Sequence, residues 1–343
     1  MKLFLGCLAL VLVVAWIYPY FGATTQFGWF VKNIGVSIIF LRSGLELETS
    51  KLIGQIANLK VSGSVLLFHF AICPILFKLT SILYSSTGVM SKDLATGFCL
   101  LGVLPPPISS AVIITTVSNG NAALSIVVST LGSLAGVIIT PALLVSVSGV
   151  RSEVSANALV IKLGTTVLFP LIVGQLARKV GAPKISGSVG KGILLAIIFH
   201  VFSKTFLKPL PITPRDLFFV VVCTLCQQLL LLSLIAVTTI KLQFDRKDVI
   251  ALIFAGSHKS LTLGMPILLA MYGESVPAYI VLPLLVYHPM QIVVGSILAP
   301  KCAEFIQSGL KEETNNQIGI EMSTKKIHHV DSPNLPNLSI SNV

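Results

Sequence analysis

The sequence predicts an all-α membrane protein: ten transmembrane helices in two inverted five-helix repeats, with the fourth and ninth helices broken. Three observations predict it. Of 343 residues, 54% are hydrophobic and only 11% are charged, against roughly a quarter charged in soluble globular domains. Apolar windows of membrane-spanning length recur ten times with short connections. Two of those windows, in matching places, carry residues that stop a helix. Mean hydropathy is +0.91. This composition excludes a soluble enzyme, a disordered chain and a disulfide scaffold. The net charge of +11 is spread thinly between apolar runs. It reads as membrane topology, and no nucleic-acid partner is expected.

The windows run Leu3–Gly22, Gly28–Leu45, Leu59–Leu83, Leu94–Ser118, Asn121–Ser146, Asn157–Ala177, Val189–Phe206, Asp216–Ile240, Asp248–Tyr272 and Pro277–Ala299. All are read as helices, because a backbone in lipid must satisfy its own hydrogen bonds. The first resembles a signal peptide in having Lys2 before an apolar run, but no small-residue cleavage site follows promptly, so it is kept as a span. Fifteen cations fall on one flank, among them Lys2, Arg42, Arg178, Arg246 and the tail lysines, and seven on the other, among them Lys78, Arg151 and Arg215. The bias places both termini in the cytosol. The remaining two, Lys32 and Lys259, fall within spans. The lipid bilayer is the first partner. Residues 1–146 form the first repeat, 147–156 a linker, 157–300 the second repeat, and 301–343 a cytosolic, mostly disordered tail.

The fourth window is interrupted by Pro105, Pro106 and Pro107, which remove backbone donors and clash with the preceding turn. The ninth is interrupted by Gly256-Ser257-His258-Lys259-Ser260. Five spans per half force the halves into opposite orientations. Paired interruptions in inverted halves point to a transporter site near the bilayer midplane. None of the 13 acidic residues lies deep in a span, so a midplane calcium site is hard to build. Lys259 instead makes an anion site plausible, helped by the positive ends of half-helices. Its alternative is a structural lysine bonded to carbonyls freed by the broken helix. Hydroxyls gather around the breaks: Ser109, Ser110, Ser257, Ser260 and Thr262, with Ser125 and Ser129 one turn apart on the fifth helix. Any of these is also an ordinary helix-packing residue. His258 is either a proton relay or a packing residue. Tyr287, His288, Gln291, Gln227 and Gln228 either line a cavity or join helices. Cys223-x-x-Cys226 has redox or zinc spacing but lies inside a span without a second pair. No P-loop, nucleophile elbow or metalloprotease motif occurs, and no metal or other cofactor and no enzymatic activity are expected.

The stretch LLGVLPPPISSAVIITTVSNGNAALS (Leu100–Ser125) resembles the broken fourth helix of the sodium/bile-acid cotransporter family, solute carrier family 10. FAGSHKSLTLGMP (Phe254–Pro266), LPLLVYHPMQIVVGSILAP (Leu282–Pro300) and RSGLELET (Arg42–Thr49) are similar to its member 7 subfamily. The resemblance implies a bile-acid-transporter fold, in which helices four and nine cross and a core moves against a panel. It places Ser110, Ser125 and Ser129 at hydroxyl positions of a sodium site. It also marks departures. Ala111 stands where the family has asparagine, Ser257 where a sodium-ligating glutamate is expected, and Leu261 where glutamine is expected. A fixed ammonium at Lys259 can substitute for sodium's charge, which favours a sodium-independent mechanism. The resemblance further implies restraint of calcium entry, calcium homeostasis, and a link to glycosaminoglycan synthesis and skeletal development. The compartments it suggests are the plasma membrane, the endoplasmic reticulum and the Golgi. Two functions are therefore expected to compete. One is a secondary transporter of a small organic anion. The other is a non-transporting membrane regulator acting on the calcium-entry machinery through partner proteins.

Overall fold

The computed structural model describes residues 2–46, 59–148, 161, 164–207, 212–272 and 276–330. Among these residues there is no strand, and each apolar window falls on helix. The helices are α1 Lys2–Ile17, α2 Pro19–Gly22, α3 Thr25–Trp29, α4 Val36–Glu46, α5 Leu59–Leu67, α6 Cys73–Ser86, α7 Lys92–Val103 and α8 Ser109–Val117. They continue as α9 Ala122–Ser148, α10 Phe169–Lys179, α11 Gly187–Phe206, α12 Pro214–Lys241, α13 Arg246–Ser257, α14 Leu261–Tyr272 and α15 Ala278–Val330. Among the described residues, six stretches are long and apolar enough to cross a membrane: Gly63–Ser86, Ala122–Thr140, Gly187–Phe206, Pro214–Lys241, Arg246–Leu269 and Ala278–Gly309. The protein is a multi-pass membrane protein.

Starts follow local chemistry. Ser91 Oγ accepts from the Leu94 amide and opens α7. Thr213 and Asp216 form a reciprocal capping box at α12, and the Asp245 side chain opens α13. Each satisfies an amide that the first turn leaves unpaired. The first window is not one helix. Pro19 cannot donate to the ladder and pushes Tyr18 out of helical space, to φ −123° and ψ 57°, so α1 ends and α2 begins there. Three π-helical turns, Phe30–Gly35, Phe68–Ile72 and Gly164–Leu168, also depart from plain helix.

The helices sort into two packed groups. In one, α4 lies on α10 and α1 lies on α11. Gly44 and Gly174 face each other there, and a Cβ on either would meet the other strand of backbone at 2.2 Å. The other group holds α5 to α9 with α12 to α15. The groups meet chiefly where α11 packs on α14. The ninth window is the most enclosed, with 89% of it buried against 33–50% for the other five. It forms the axis of the second group.

The end of the chain differs from the sequence expectation. The last helix does not stop near Ala299 but continues to Val330. Its first turns beyond the span are held by α13. The Arg246 guanidinium stacks on Phe305 at 4.8 Å and donates to the Phe305 carbonyl and to Ser308 Oγ, both at 2.9 Å. Ile306 packs with Ile114, Leu232, Ile250 and Phe254. The linker at 149–156, Leu47–Thr49 of the Arg42–Thr49 motif, and 331–343 lie outside the described residues.

Candidate functional site

The two breaks share a backbone form. α7 and α13 each run for 12 residues and end on an extended residue. These are Leu104 (φ −72°, ψ 145°) and His258 (φ −81°, ψ 148°). The chain then resumes as helix at Ser109 and at Leu261. The breaks touch: the Ser260 amide donates to the Pro105 carbonyl at 2.8 Å. The interruption between α7 and α8 therefore meets the interruption between α13 and α14.

A broken helix leaves carbonyls without intrahelical donors, and burial makes each one costly if it stays unpaired. Here five consecutive carbonyls find donors from elsewhere. Lys259 Nζ donates to Gly102 O at 2.9 Å and to Leu104 O at 3.1 Å. Thr140 Oγ1 donates to Val103 O at 2.8 Å, the Ser260 amide serves Pro105 O, and Ser133 Oγ serves Pro106 O at 2.8 Å. The Lys259 ammonium thus sits at the negative end of α7, where a cation is most favoured. Cys73 also lies against the ammonium, and the Phe77 ring centre is 5.9 Å away. Lys259 is fully buried.

The second break is satisfied from α15. The Gln291 side chain accepts from the Lys259 amide at 2.7 Å and donates to the Lys259 carbonyl at 3.0 Å. One side-chain amide thereby replaces both ladder bonds of that residue. Tyr287 Oη donates to Ser257 O at 2.7 Å, and Ser260 Oγ accepts from the Leu263 amide to open α14. Close approach is allowed by Gly132 and Gly136, one turn apart on α9. A Cβ there would meet Pro106 at 2.5 Å and Pro105 at 2.4 Å.

The sequence profile of the SBF-like CPA transporter family matches residues 2–304 of this chain. The chain belongs to the SBF-like CPA transporter family. It is 35% identical to the sodium/bile acid cotransporter 7 of Rattus norvegicus over 291 residues, covering 82% of this chain and 85% of that protein. It is 34% identical to the Danio rerio protein of that name over 294 residues, covering 83% and 87%. An uncharacterized protein of Pseudomonas aeruginosa is 27% identical over 309 residues, covering 87% and 92%.

In this family member the crossing gathers Pro105, Pro106, Pro107, Ser257, His258, Lys259 and Ser260. Gln228 Nε2 reaches Ser257 Oγ at 3.4 Å. Thr115 Oγ1 donates to Ser125 Oγ at 3.2 Å, so Ser125 serves the α8–α9 contact. Ser110 Oγ, Ser129 Oγ and both ring nitrogens of His258 are buried without a hydrogen-bond partner among the described residues. Those atoms keep capacity for water or a ligand. Thr262 lies within α14 and is partly exposed. Ser109 opens α8, and its side chain lies outside the described set. His69 and His200 are buried away from solvent. Cys223 and Cys226 are free thiols on one helix, Cys223 buried and Cys226 exposed, and no metal-binding cluster occurs among the described residues. The sequence reading did not reach Ser133, Thr140, Gly132 and Gly136. Their signal was a Gly-Ser-x-x-Gly spacing on the helix after the prolines.

Proposed function

We propose that the chain is a sodium-independent secondary transporter of a small organic anion, built from ten spans in two inverted repeats. The supporting observation is the Lys259 ammonium bonded to the Gly102 and Leu104 carbonyls. Bare carbonyls at the crossing of two broken helices are ligands for a hard cation. Here a covalently tethered cation takes them, and Ser257 offers no carboxylate. The cation is tethered to the chain, so substrate movement has no need to wait for sodium. The equal lengths and matching end geometry of α7 and α13 support the inverted repeat. The sorting of helices into two groups supports movement of one group against the other.

In this reading the protein has no enzymatic role and holds no cofactor. Both termini are cytosolic, and the membrane is the plasma membrane or one of the secretory pathway. Any effect on calcium entry follows indirectly from anion flux.

The test is uptake of anionic probes (a bile acid, a steroid sulfate, inorganic sulfate) into proteoliposomes, in sodium and in choline buffer. Equal uptake of at least one probe in both buffers is the expected result. Uptake that requires sodium overturns the built-in-cation reading. Absence of uptake for every probe would favour a regulator acting on the calcium-entry machinery through its cytosolic surfaces.

A further inference from the structure

The two tryptophans of the chain, Trp16 and Trp29, are both exposed, and so are Tyr18 and Tyr20 between them. They flank the Pro19 break and the short helices α2 and α3. They therefore stand at the turn between two spans, on one face of the bilayer. Indole and phenol rings settle at the membrane–water boundary, where an apolar body and a polar tip are both satisfied. Charge marks the opposite end of each span. Lys2 opens α1, and Arg42 pairs with Glu46 in the last turns of α4. Fourteen positions separate Lys2 from Trp16, and thirteen separate Trp29 from Arg42. At about 1.5 Å per residue, each crossing is only about 20 Å long, against about 30 Å for the hydrocarbon of a typical bilayer. Lys32 falls by sequence inside the second stretch and shortens its uncharged part further.

Packing against α11 gives the same length independently. A Cβ on Gly28 would meet the His200 ring at 2.4 Å, one on Gly35 would meet Ile193 at 2.9 Å, and one on Gly187 would meet the Arg42 guanidinium at 3.3 Å. The second span therefore runs antiparallel to α11, and its stretch from Gly28 to Arg42 covers α11 from His200 to Gly187. Those thirteen positions of α11 rise about 20 Å. The Arg42 head ends at Gly187, so the reach of its side chain is already counted. α11 is 20 residues long, but Lys191 and Lys204 stand thirteen positions apart within it. The other helix group is built differently. Its α12 runs for 28 residues, about 42 Å, with Arg215, Asp216 and Lys241 confined to its ends.

We infer that the lipid-facing surface of α1, α4 and α11 is matched to a hydrocarbon layer of about 20 Å and selects phospholipids of short acyl chain. A span shorter than its bilayer draws the two leaflets together. The membrane is thinned beside this group and keeps its full thickness beside α12. The inference depends neither on the transported substrate nor on which face is cytosolic.

The experiment measures lipid selectivity by fluorescence quenching of the full chain in liposomes. Trp16 and Trp29 are native reporters of the first group. A second chain, Trp16→Phe/Trp29→Phe/Phe218→Trp, carries its single indole at the exposed Phe218 position of α12, and its melting midpoint is matched to wild type. The liposomes hold equal amounts of phosphatidylcholines with fourteen-carbon and twenty-two-carbon monounsaturated chains, one of them brominated at a time. Each signal is normalised to quenching in that brominated lipid alone, which removes the difference in bromine depth. The native rings are expected to favour the short lipid by about threefold or more, and the indole at position 218 to show no such preference. Trp16→Phe and Trp29→Phe, each with one native ring left, are expected to keep the wild-type selectivity. Selectivity at the native rings no greater than at position 218 overturns the inference, as does a preference confined to one of the two rings. Native emission that neither brominated lipid quenches also overturns it, and would place a second copy of the chain over the rings.

Discussion

Lys259 has the geometry of a cross-link. It carries a backbone held by Gln291 and a side chain that reaches 155 and 157 residues back along the chain. Removing its ammonium strands two buried carbonyls, and each unsatisfied buried acceptor costs about 1–3 kcal/mol. Lys259→Met is therefore expected to cost roughly 2–6 kcal/mol, read as a lower melting midpoint in detergent. A midpoint equal to wild type would remove the cross-link role. Gln291→Leu strands the Lys259 amide and leaves the Lys259 carbonyl only the 3.4 Å contact with His288 Nδ1, and it is expected to lower the midpoint similarly. Gln291→Glu keeps the acceptor and loses the donor, so it should fall between. These details were only partly legible. The polar run around Lys259 was visible as an interruption, and a structural lysine bonded to freed carbonyls was one of its two readings. The identity of the carbonyls was not visible, because Gly102 and Leu104 belong to another break. Gln291 was visible only as a polar residue in an apolar run, since nothing local ties it to position 259.

At the scale of elements, α9 is shaped to receive the prolines. Gly132 and Gly136 leave a notch, and Ser133 and Thr140 bring hydroxyls to the carbonyls beside it. A side chain at 136 must displace Pro105, and overpacking of this kind costs about 1–3 kcal/mol. Gly136→Val is expected to lower the melting midpoint, whereas Gly6→Val on α1, where a Cβ would meet nothing within 4 Å, is expected to leave it unchanged. Equal effects would deny the notch its role. Apolar windows of spanning length made the helices themselves readable, because about 20 continuous apolar residues in lipid satisfy their own backbone as a helix. They did not reveal the π-helical turns, which depend on tertiary packing. They also did not carry the last helix beyond the span: Arg246, which fixes the Phe305 turn, lies 59 residues earlier in the chain.

Across the whole molecule, charge bias and helix parity fix a testable arrangement. Fifteen cations against seven predict cytosolic termini. A protease-cleavable tag on either end should be cut only after the bilayer enclosing that face is opened. Cleavage of either tag without opening it would invert the topology. The two-group arrangement was legible through the resemblance alone, since composition carries no information about which helices neighbour one another. The family relation itself was legible because the proline triplet and the Ser-His-Lys-Ser run are dense in unusual residues.

The stitching of one break to the other has a consequence for how the protein is made. The carbonyls of Gly102, Leu104 and Pro105 find their donors in Lys259 and Ser260, which the ribosome adds about 155 residues later. At roughly 5–20 residues per second, that interval lasts on the order of 8–30 s. Throughout it, the first half is already threaded into the bilayer with an incomplete fourth helix. Each nascent chain therefore passes through an obligatory vulnerable period, during which an insertase, a chaperone or a degradation factor meets polar backbone inside lipid. Slowed translation between codons 107 and 259 should shorten the half-life of newly made chains without altering the stability of those that finish.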